Sequence, residues 1–268
     1  MIKALERQNR FLYNQLRFDD ILKTEKNNDK KVSFLKNKSF SLSNNQLKII
    51  AMAAMTADHA AKELFPSSTL LLIFGRLAFP IFAYMIAEGC RYTKNKRRYF
   101  LQIFILGTFC QSVYFFAMGS MYQNILITFS LSVVSIFAIE RFFKKKDFLS
   151  LALVVIALFS VTFLCLFLPS LLKSSDFQID YGLLGVFLPV VIYFMPSKKT
   201  KIIASAAILT ALSFELSGLQ WFSLAALPLL FLYNGKRGKL KLKYLFYVFY
   251  PAHLAIIYLI GELINFFS

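Results

Sequence analysis

Nine apolar segments separated by short connections run from Gln46 nearly to the end of the chain: residues 46–64, 69–91, 99–118, 123–140, 148–172, 181–195, 200–215, 219–233 and 244–264. This pattern limits the fold more than any motif. A hydrocarbon core about 30 Å thick takes about 20 apolar residues to cross as a helix, and only structures that satisfy their own backbone hydrogen bonds survive there. The sixth to eighth segments are short for a full crossing. Composition agrees with a membrane setting: 57% of residues are hydrophobic and 17% charged, against about 45–50% and about 25% in an average soluble domain, and the mean hydropathy is +0.58. The expected fold is all-α, a polytopic membrane helical bundle of about nine transmembrane helices.

The charges divide by side. The chain has 31 Lys and Arg against 14 Asp and Glu, a net charge of +17. With residues 1–44 inside and the segments alternating, all but three of the 31 basic residues fall in or beside inside connections. The exceptions are Lys173, in an outer connection, and Lys62 and Arg76, which lie within segments. An excess of Lys and Arg marks the cytoplasmic side, so the N-terminus is expected in the cytoplasm, the C-terminus outside, and the chain in the cell membrane. The charge is then topology rather than a nucleic-acid surface, which would need a folded basic face. Residues 1–44 read as a basic cytoplasmic tail and no secretory signal, because no short apolar region with a cleavage site follows the charges. Ile2, Leu5, Leu12 and Leu16 recur near helical spacing, so the tail either lies on the anionic membrane surface or is solvated and disordered. Residues 45–268 form the transmembrane domain. Cys90, Cys110 and Cys165 sit inside apolar segments and read as packing residues, without disulfides. There is no nucleotide-binding glycine loop and no CxxC or HExxH pattern, so no metal is expected.

Ionisable groups within apolar segments are costly and mark candidate sites. The first segment carries Asp58, His59, Lys62 and Glu63; the second carries Arg76 and Glu88. At about 1.5 Å per residue, His59 and Arg76 lie roughly 8–10 Å below the outer surface, with Gln111 of the third segment at a similar depth. Asn124 opens the fourth segment from outside, Asp180 and Tyr181 open the sixth, and His253 is near the middle of the ninth. Each has a plainer reading. Asp58 and Lys62, four apart, pair on one helix face. Arg76 snorkels to the outer headgroups. His253, after Tyr250-Pro251, bonds backbone freed by the proline, and Glu88 pairs with Arg91. His59 is set apart by Lys48, eleven residues before it on the same helix face and about 16 Å away, roughly the reach of a phosphopantetheine arm. The plain reading of Lys48 is an interfacial anchor.

The run Leu47-Lys48-Ile49-Ile50 through Ala57-Asp58-His59 and the run Gly75-Arg76-Leu77-Ala78-Phe79-Pro80-Ile81-Phe82-Ala83-Tyr84, leading to Glu88-Gly89-Cys90-Arg91, resemble the TraX family of membrane proteins. So do Asn124-Ile125-Leu126-Ile127-Thr128-Phe129, Asp180-Tyr181-Gly182-Leu183-Leu184-Gly185 and Phe249-Tyr250-Pro251-Ala252-His253-Leu254. The matches span about residues 47–255 and leave the tail outside. The family is associated with conjugal pilus biogenesis and N-terminal acetylation of pilin. The spacing of Lys48 and His59 is also similar to the basic-x10-His signature of the acyltransferase-3 membrane acyltransferases, with lysine in place of the commoner arginine and so without its bidentate phosphate fork.

The resemblance implies a membrane acetyltransferase. Acetyl-CoA or another short acyl-CoA is the expected donor, its phosphates met by Lys48, Arg91, Lys94, Arg97 and Arg98. His59 is the expected general base. Asp58, about 100° away on the helix, would hold Arg76 or Lys62, and the group orienting His59 would come from another helix. Arg76, Tyr84 or Gln111 would stabilise the oxyanion, and Glu88, Asn124, Asp180, Tyr181 and His253 complete the candidate substrate zone. The acceptor is an extracytoplasmic peptide amine or a cell-envelope glycan hydroxyl. The competing class is a non-enzymatic transporter or an assembly scaffold; internal repeats would favour a transporter, and none stands out. Oligomeric state is open.

Overall fold

In the computed structural model, which describes residues 40–173, 175–216, 218–238 and 243–267, the chain from Leu42 on forms one unit that is helical almost throughout. Residues 1–39, with most of the expected basic tail, lie outside the described residues. Helix starts follow their capping residues. Ser43 opens α1 (Asn44–Glu63) with a capping box in which its hydroxyl meets the Gln46 N–H while the Gln46 side chain reaches back to the Ser43 N–H. Asn95 caps α4 (Lys96–Met118), Asn124 caps α5 (Ile125–Lys145) and Asp147 caps α6 (Phe148–Thr162), each accepting from a first-turn N–H.

Prolines explain where the helices depart from uniform spans. The second expected segment is two helices, α2 (Thr69–Gly75) and α3 (Ala78–Tyr92), separated at Arg76-Leu77. Pro80 has no N–H for the Arg76 carbonyl four residues back, and its ring crowds that carbonyl. The fifth continues from α6 through a π-turn, Phe163–Phe167, into α7 (Leu168–Leu171), where Pro169 likewise withholds a bond from Cys165. The sixth and seventh are α8 (Gly182–Phe194) and α9 (Lys198–Leu216). The eighth is a 3₁₀ stretch, Gly218–Ala225, leading into α10 (Ala226–Phe231), and the last is α11 (Lys243–Phe267).

Five of these spans, among the described residues, are long and apolar enough to cross a membrane: Thr69–Tyr92 taken across its break, Lys96–Met118, Ile125–Lys145, Phe148–Leu171 and Leu245–Phe267. The chain is a multi-pass membrane protein. Burial sorts the helices into layers. The 13-residue α8 packs against α3, α5 and α9, and Leu188, Ile192, Ile81, Ile136 and Leu209 between them are fully buried. α4, α6 and α11 lie outside and expose Ile105, Phe109, Ile156, Phe159 and Leu259, which suits lipid contact and not water. Serines let the inner helices approach: Ser132 donates both to Thr128 O in its own helix and to Val186 O of α8, at 3.1 and 2.8 Å.

Contacts also tie the connections together at two ends. At one end Leu42 pairs with Tyr233, Asn44 donates to Lys236 O, Lys96 and Lys144 both hold Glu140, and Arg91 bonds Tyr193 O at 2.6 Å. At the other, Gln123 pairs with Ile179, Asp176 accepts from Ser120 and Met121, and Phe214 meets Trp221. The Lys- and Arg-rich connections thus share one end.

Glu88 does not pair with Arg91. Its carboxylate meets Lys201 Nζ at 2.7 Å, both side chains buried, with Lys201 also over the Tyr84 ring at 5.3 Å. Lys201, counted by sequence among the connection charges, is instead drawn into the first turn of α9, because a buried carboxylate needs a cation more than an already well-placed loop does. Glu88→Gln alone is expected to destabilise the protein by about 3–5 kcal/mol, and the double substitution E88Q/K201M to recover most of that loss. Thermal unfolding midpoints of the two variants in detergent check this; equal midpoints would show that the pair contributes nothing.

Candidate functional site

The break between α2 and α3 brings the first polar group together. A Cβ on Gly75 would lie 2.5 Å from Asp58 Cβ, so only glycine lets α2 come this close to α1. The next residue, Arg76, places Nη1 3.8 Å from Asp58 Oδ1, while Lys62 Nζ meets Asp58 Oδ2 at 2.5 Å. Asp58 therefore meets Lys62 directly and Arg76 at ion-pair range without a hydrogen bond, toward the end opposite the basic connections. Tyr181 stacks on Phe79 with ring centroids 3.9 Å apart, and Asp180 accepts from the Tyr122 hydroxyl at 2.9 Å, while its carbonyl accepts from Thr128. Asp58, Lys62 and Arg76 all act electrostatically on Asp180. Asp58, Arg76, Asp180 and Tyr181, dispersed over about 120 residues of sequence, thus share one polar group.

On the neighbouring face of α1, His59 meets His253 of α11. His59 Nδ1 and His253 Nε2 are 3.1 Å apart, and His253 Nδ1 is 2.8 Å from the Phe249 carbonyl. A carbonyl only accepts, so His253 Nδ1 carries a proton. With both rings neutral, His253 Nε2 is then an acceptor, His59 Nδ1 donates to it, and the lone pair of His59 rests on Nε2. His253 is buried and clamped, stacked on Phe249 at 4.4 Å and edge-on to Tyr250. Its plainer reading, a bond to backbone, holds for Nδ1, though the carbonyl it bonds is that of Phe249 and not the one freed by Pro251.

A cavity of about 190 Å³ runs among α1, α3, α4, α5 and α11. Asn44, Asn45, Lys48 and Arg237 line it at the basic end, and Met55, Phe249 and Tyr250 line it deeper. Met55 is one helical turn before His59, and Phe249 is one turn before His253. Lys48 also rests over the Phe246 ring at 4.8 Å.

The remaining expected residues separate. Gln111 accepts from both nitrogens of Asn124, whose side chain also donates to Gly107 O, so this pair locks the α4–α5 turn. The Gln111 amide nitrogen is buried without a partner among the described residues. Tyr84 and Glu88 stand with Lys201 and Tyr233 at the basic end and make no contact with the histidines. Arg91 is occupied by Tyr193, Lys94 is exposed, and Arg97 and Arg98 line a separate groove. Sequence reasoning missed Arg237 as a cavity residue, counting it only as a loop charge; nothing in its spacing relates it to Lys48. Tyr250 was signalled by its place beside Pro251 but read as backbone context.

A family model described as TraX protein matches residues 43–261. The chain is also similar to the probable fimbrial assembly protein FimC, serogroup H1, of Dichelobacter nodosus: 25% identical over 248 residues, covering 79% of this chain and 93% of that one. No solved structure matches.

Gly75→Ala is expected to push α2 from α1 at Asp58, with a loss of about 1–3 kcal/mol from overpacking. Unfolding in detergent measures it; a Gly75→Ala protein as stable as the parent would refute the close approach.

Proposed function

The chain belongs to the TraX family, and from that footing we propose that it is a pilus-associated membrane acyltransferase, moving an acetyl or other short acyl group from cytoplasmic acyl-CoA to an amine or hydroxyl outside. One observation carries the reading: a cavity entered beside Lys48 and Arg237 ends one turn from a histidine pair whose tautomers are set by hydrogen bonding. The relative named as a fimbrial assembly protein supports a pilus-related acceptor, with a peptide amine ahead of a glycan hydroxyl. In this reading all nine helical segments cross the cell membrane, with the basic connections and N-terminus in the cytoplasm and the C-terminus outside.

Acyl-CoA enters from the basic end, where Lys48 and Arg237 meet its phosphates. The narrow cavity admits the thioester arm and a short acyl group. His59 Nε2 takes the proton of the acceptor amine or hydroxyl as its nitrogen or oxygen bonds to the thioester carbonyl carbon. The carbon–sulfur bond then breaks, and the leaving CoA thiolate takes that proton from the His59 imidazolium. His253 stabilises the imidazolium by accepting from Nδ1, and passes its own orientation back to the Phe249 carbonyl. Arg76, whose buried Nε has no hydrogen-bond partner among the described residues, is the donor for the oxyanion. Asp58 and Asp180 offset Lys62 and Arg76 at the outer approach, so an acceptor amine attacks as the neutral form, having first left its extra proton to the outer solution.

Two measurements test this. With purified protein, labelled acetyl-CoA and peptide or glycan acceptors, His59→Ala is expected to lose about 10²–10⁴-fold in rate. His253→Ala should lower kcat with little change in KM, and Arg237→Gln should raise KM for acetyl-CoA. Parental activity in the His59→Ala protein would sink the assignment. For topology, a cysteine replacing Lys144 is expected to react with impermeant maleimide only in opened cells, and one replacing Lys173 in intact cells; the reverse pattern would overturn the orientation.

A further inference from the structure

Arg97 and Arg98 do not line the cavity that leads to the histidines. They stand with Asn95 at the head of a second space, a groove of about 610 Å³ between α4 and α11. Below them the groove is walled by Leu101, Ile105 and Phe109, spaced four apart on one stripe of α4 that begins at Arg97. From Arg97 to Phe109 the helix rises about 18 Å, close to the depth of one leaflet of a hydrocarbon core about 30 Å thick. All three apolar residues are exposed. Across the groove, Tyr247 of α11 donates to the Gln102 side chain at 3.3 Å. Leu106 and Tyr247 belong to both spaces and form the wall between them.

No acid among the described residues neutralises the basic head. Among the described residues the ion pairs occupy Asp58, Glu88 and Glu140, and neither Arg97 nor Arg98 takes part in one. Asn95 is spent on capping α4 at the Arg98 N–H. Two adjacent guanidinium groups with no acid among the described residues, above an apolar stripe one leaflet long and open to the side, complement the charge and length of an anionic phospholipid. Soluble phosphate would fill the head and leave the stripe bare. A zwitterionic lipid would cover the stripe but bring an ammonium beside two arginines.

We infer that the α4–α11 groove is a binding site for one anionic glycerophospholipid of the cytoplasmic leaflet, its phosphate held by Arg97 and Arg98 and an acyl chain laid along Leu101, Ile105 and Phe109. Basic pockets between transmembrane helices on the cytoplasmic side recognise such headgroups. The lipid would cover the outside of the wall formed by Leu106 and Tyr247, closing the cavity laterally to the bilayer. The inference does not depend on acyl transfer.

The test places a tryptophan in the stripe, Ile105→Trp in a Trp221→Phe background, and a control tryptophan on another lipid-facing helix, Ile156→Trp in the same background. The full-length protein is reconstituted in phosphatidylcholine vesicles containing a small fraction of chain-brominated lipid, either phosphatidylglycerol or phosphatidylcholine. Brominated phosphatidylglycerol is expected to quench the stripe tryptophan of the I105W protein more strongly, by an occupancy preference on the order of ten-fold. It should quench the control tryptophan of the I156W protein no more than brominated phosphatidylcholine does. Adding R97Q/R98Q to the I105W protein should abolish the difference, and R97K/R98K should keep much of it. Equal quenching of the stripe tryptophan by the two lipids would overturn the site. So would removal of the excess by soluble coenzyme A, which would return the arginines to the nucleotide.

Discussion

Asp58 lies between two cations, Lys62 one turn along its own helix and Arg76 at the break of the next, and in a medium without water that arrangement fixes more than local charge. The contact exists because Gly75 lets two backbones meet, and Arg76 stands at the break before α3, where Pro80 has no N–H to continue the helix. Once Asp58 is tied toward α2, the rotation of α1 about its own axis is set. Successive residues on a helix diverge by about 100°, so His59 is turned away from α2 and toward α11, where His253 waits. The ion group and the histidine pair are two faces of one constraint.

The layers follow from the same scarcity of polar partners. Long apolar helices, α4, α6 and α11, face outward and need no partner but lipid. The short α8 is surrounded by protein on several sides, where serine hydroxyls and close backbone approach replace length as the source of fit. Among the described residues the fully buried ion pair is Glu88 with Lys201 at the basic end, while Asp58 and its cations, partly exposed, stand toward the other. Between them the interior holds neutral polar groups, the serines of α5 and the histidine pair, and the narrow cavity reaches into it from Lys48 as far as Met55 and Tyr250.

Much of the helical order was legible in the sequence, since each apolar segment corresponds to a helix or to a broken pair of helical stretches. The partnerships were not. Asp58 with Lys62 could be read from a spacing of four, but Glu88 with Lys201 spans 113 positions, and a lysine beside a basic loop carries no mark that it will turn inward. His59 was conspicuous because its helix also holds Lys48; that its partner is His253 depends on how α11 packs on α1, which no local pattern encodes. Arg97 and Arg98 looked like part of one cytoplasmic rim, and only the fold separates them from Lys48 and Arg237 by the wall at Leu106 and Tyr247.

The direction of the histidine relay bears on why two histidines stand where an acid and a histidine would be more usual. A carboxylate beside His59 would raise the basicity of its ring but would add a charge with no cation left to meet it, Lys62 and Arg76 being taken up by Asp58, in a region where each charge costs desolvation. His253 orients the ring without charge, because its own Nδ1 is committed to a backbone carbonyl and its Nε2 can only accept. On the proposed reading the site is then neutral at the histidines until a proton arrives from the acceptor. The positive charge formed at that moment is shared with His253 Nε2, which accepts from the ring without having to reorient. A hydrogen bond already in place strengthens as that charge develops, so its benefit falls in the transition state, which is where it accelerates a reaction.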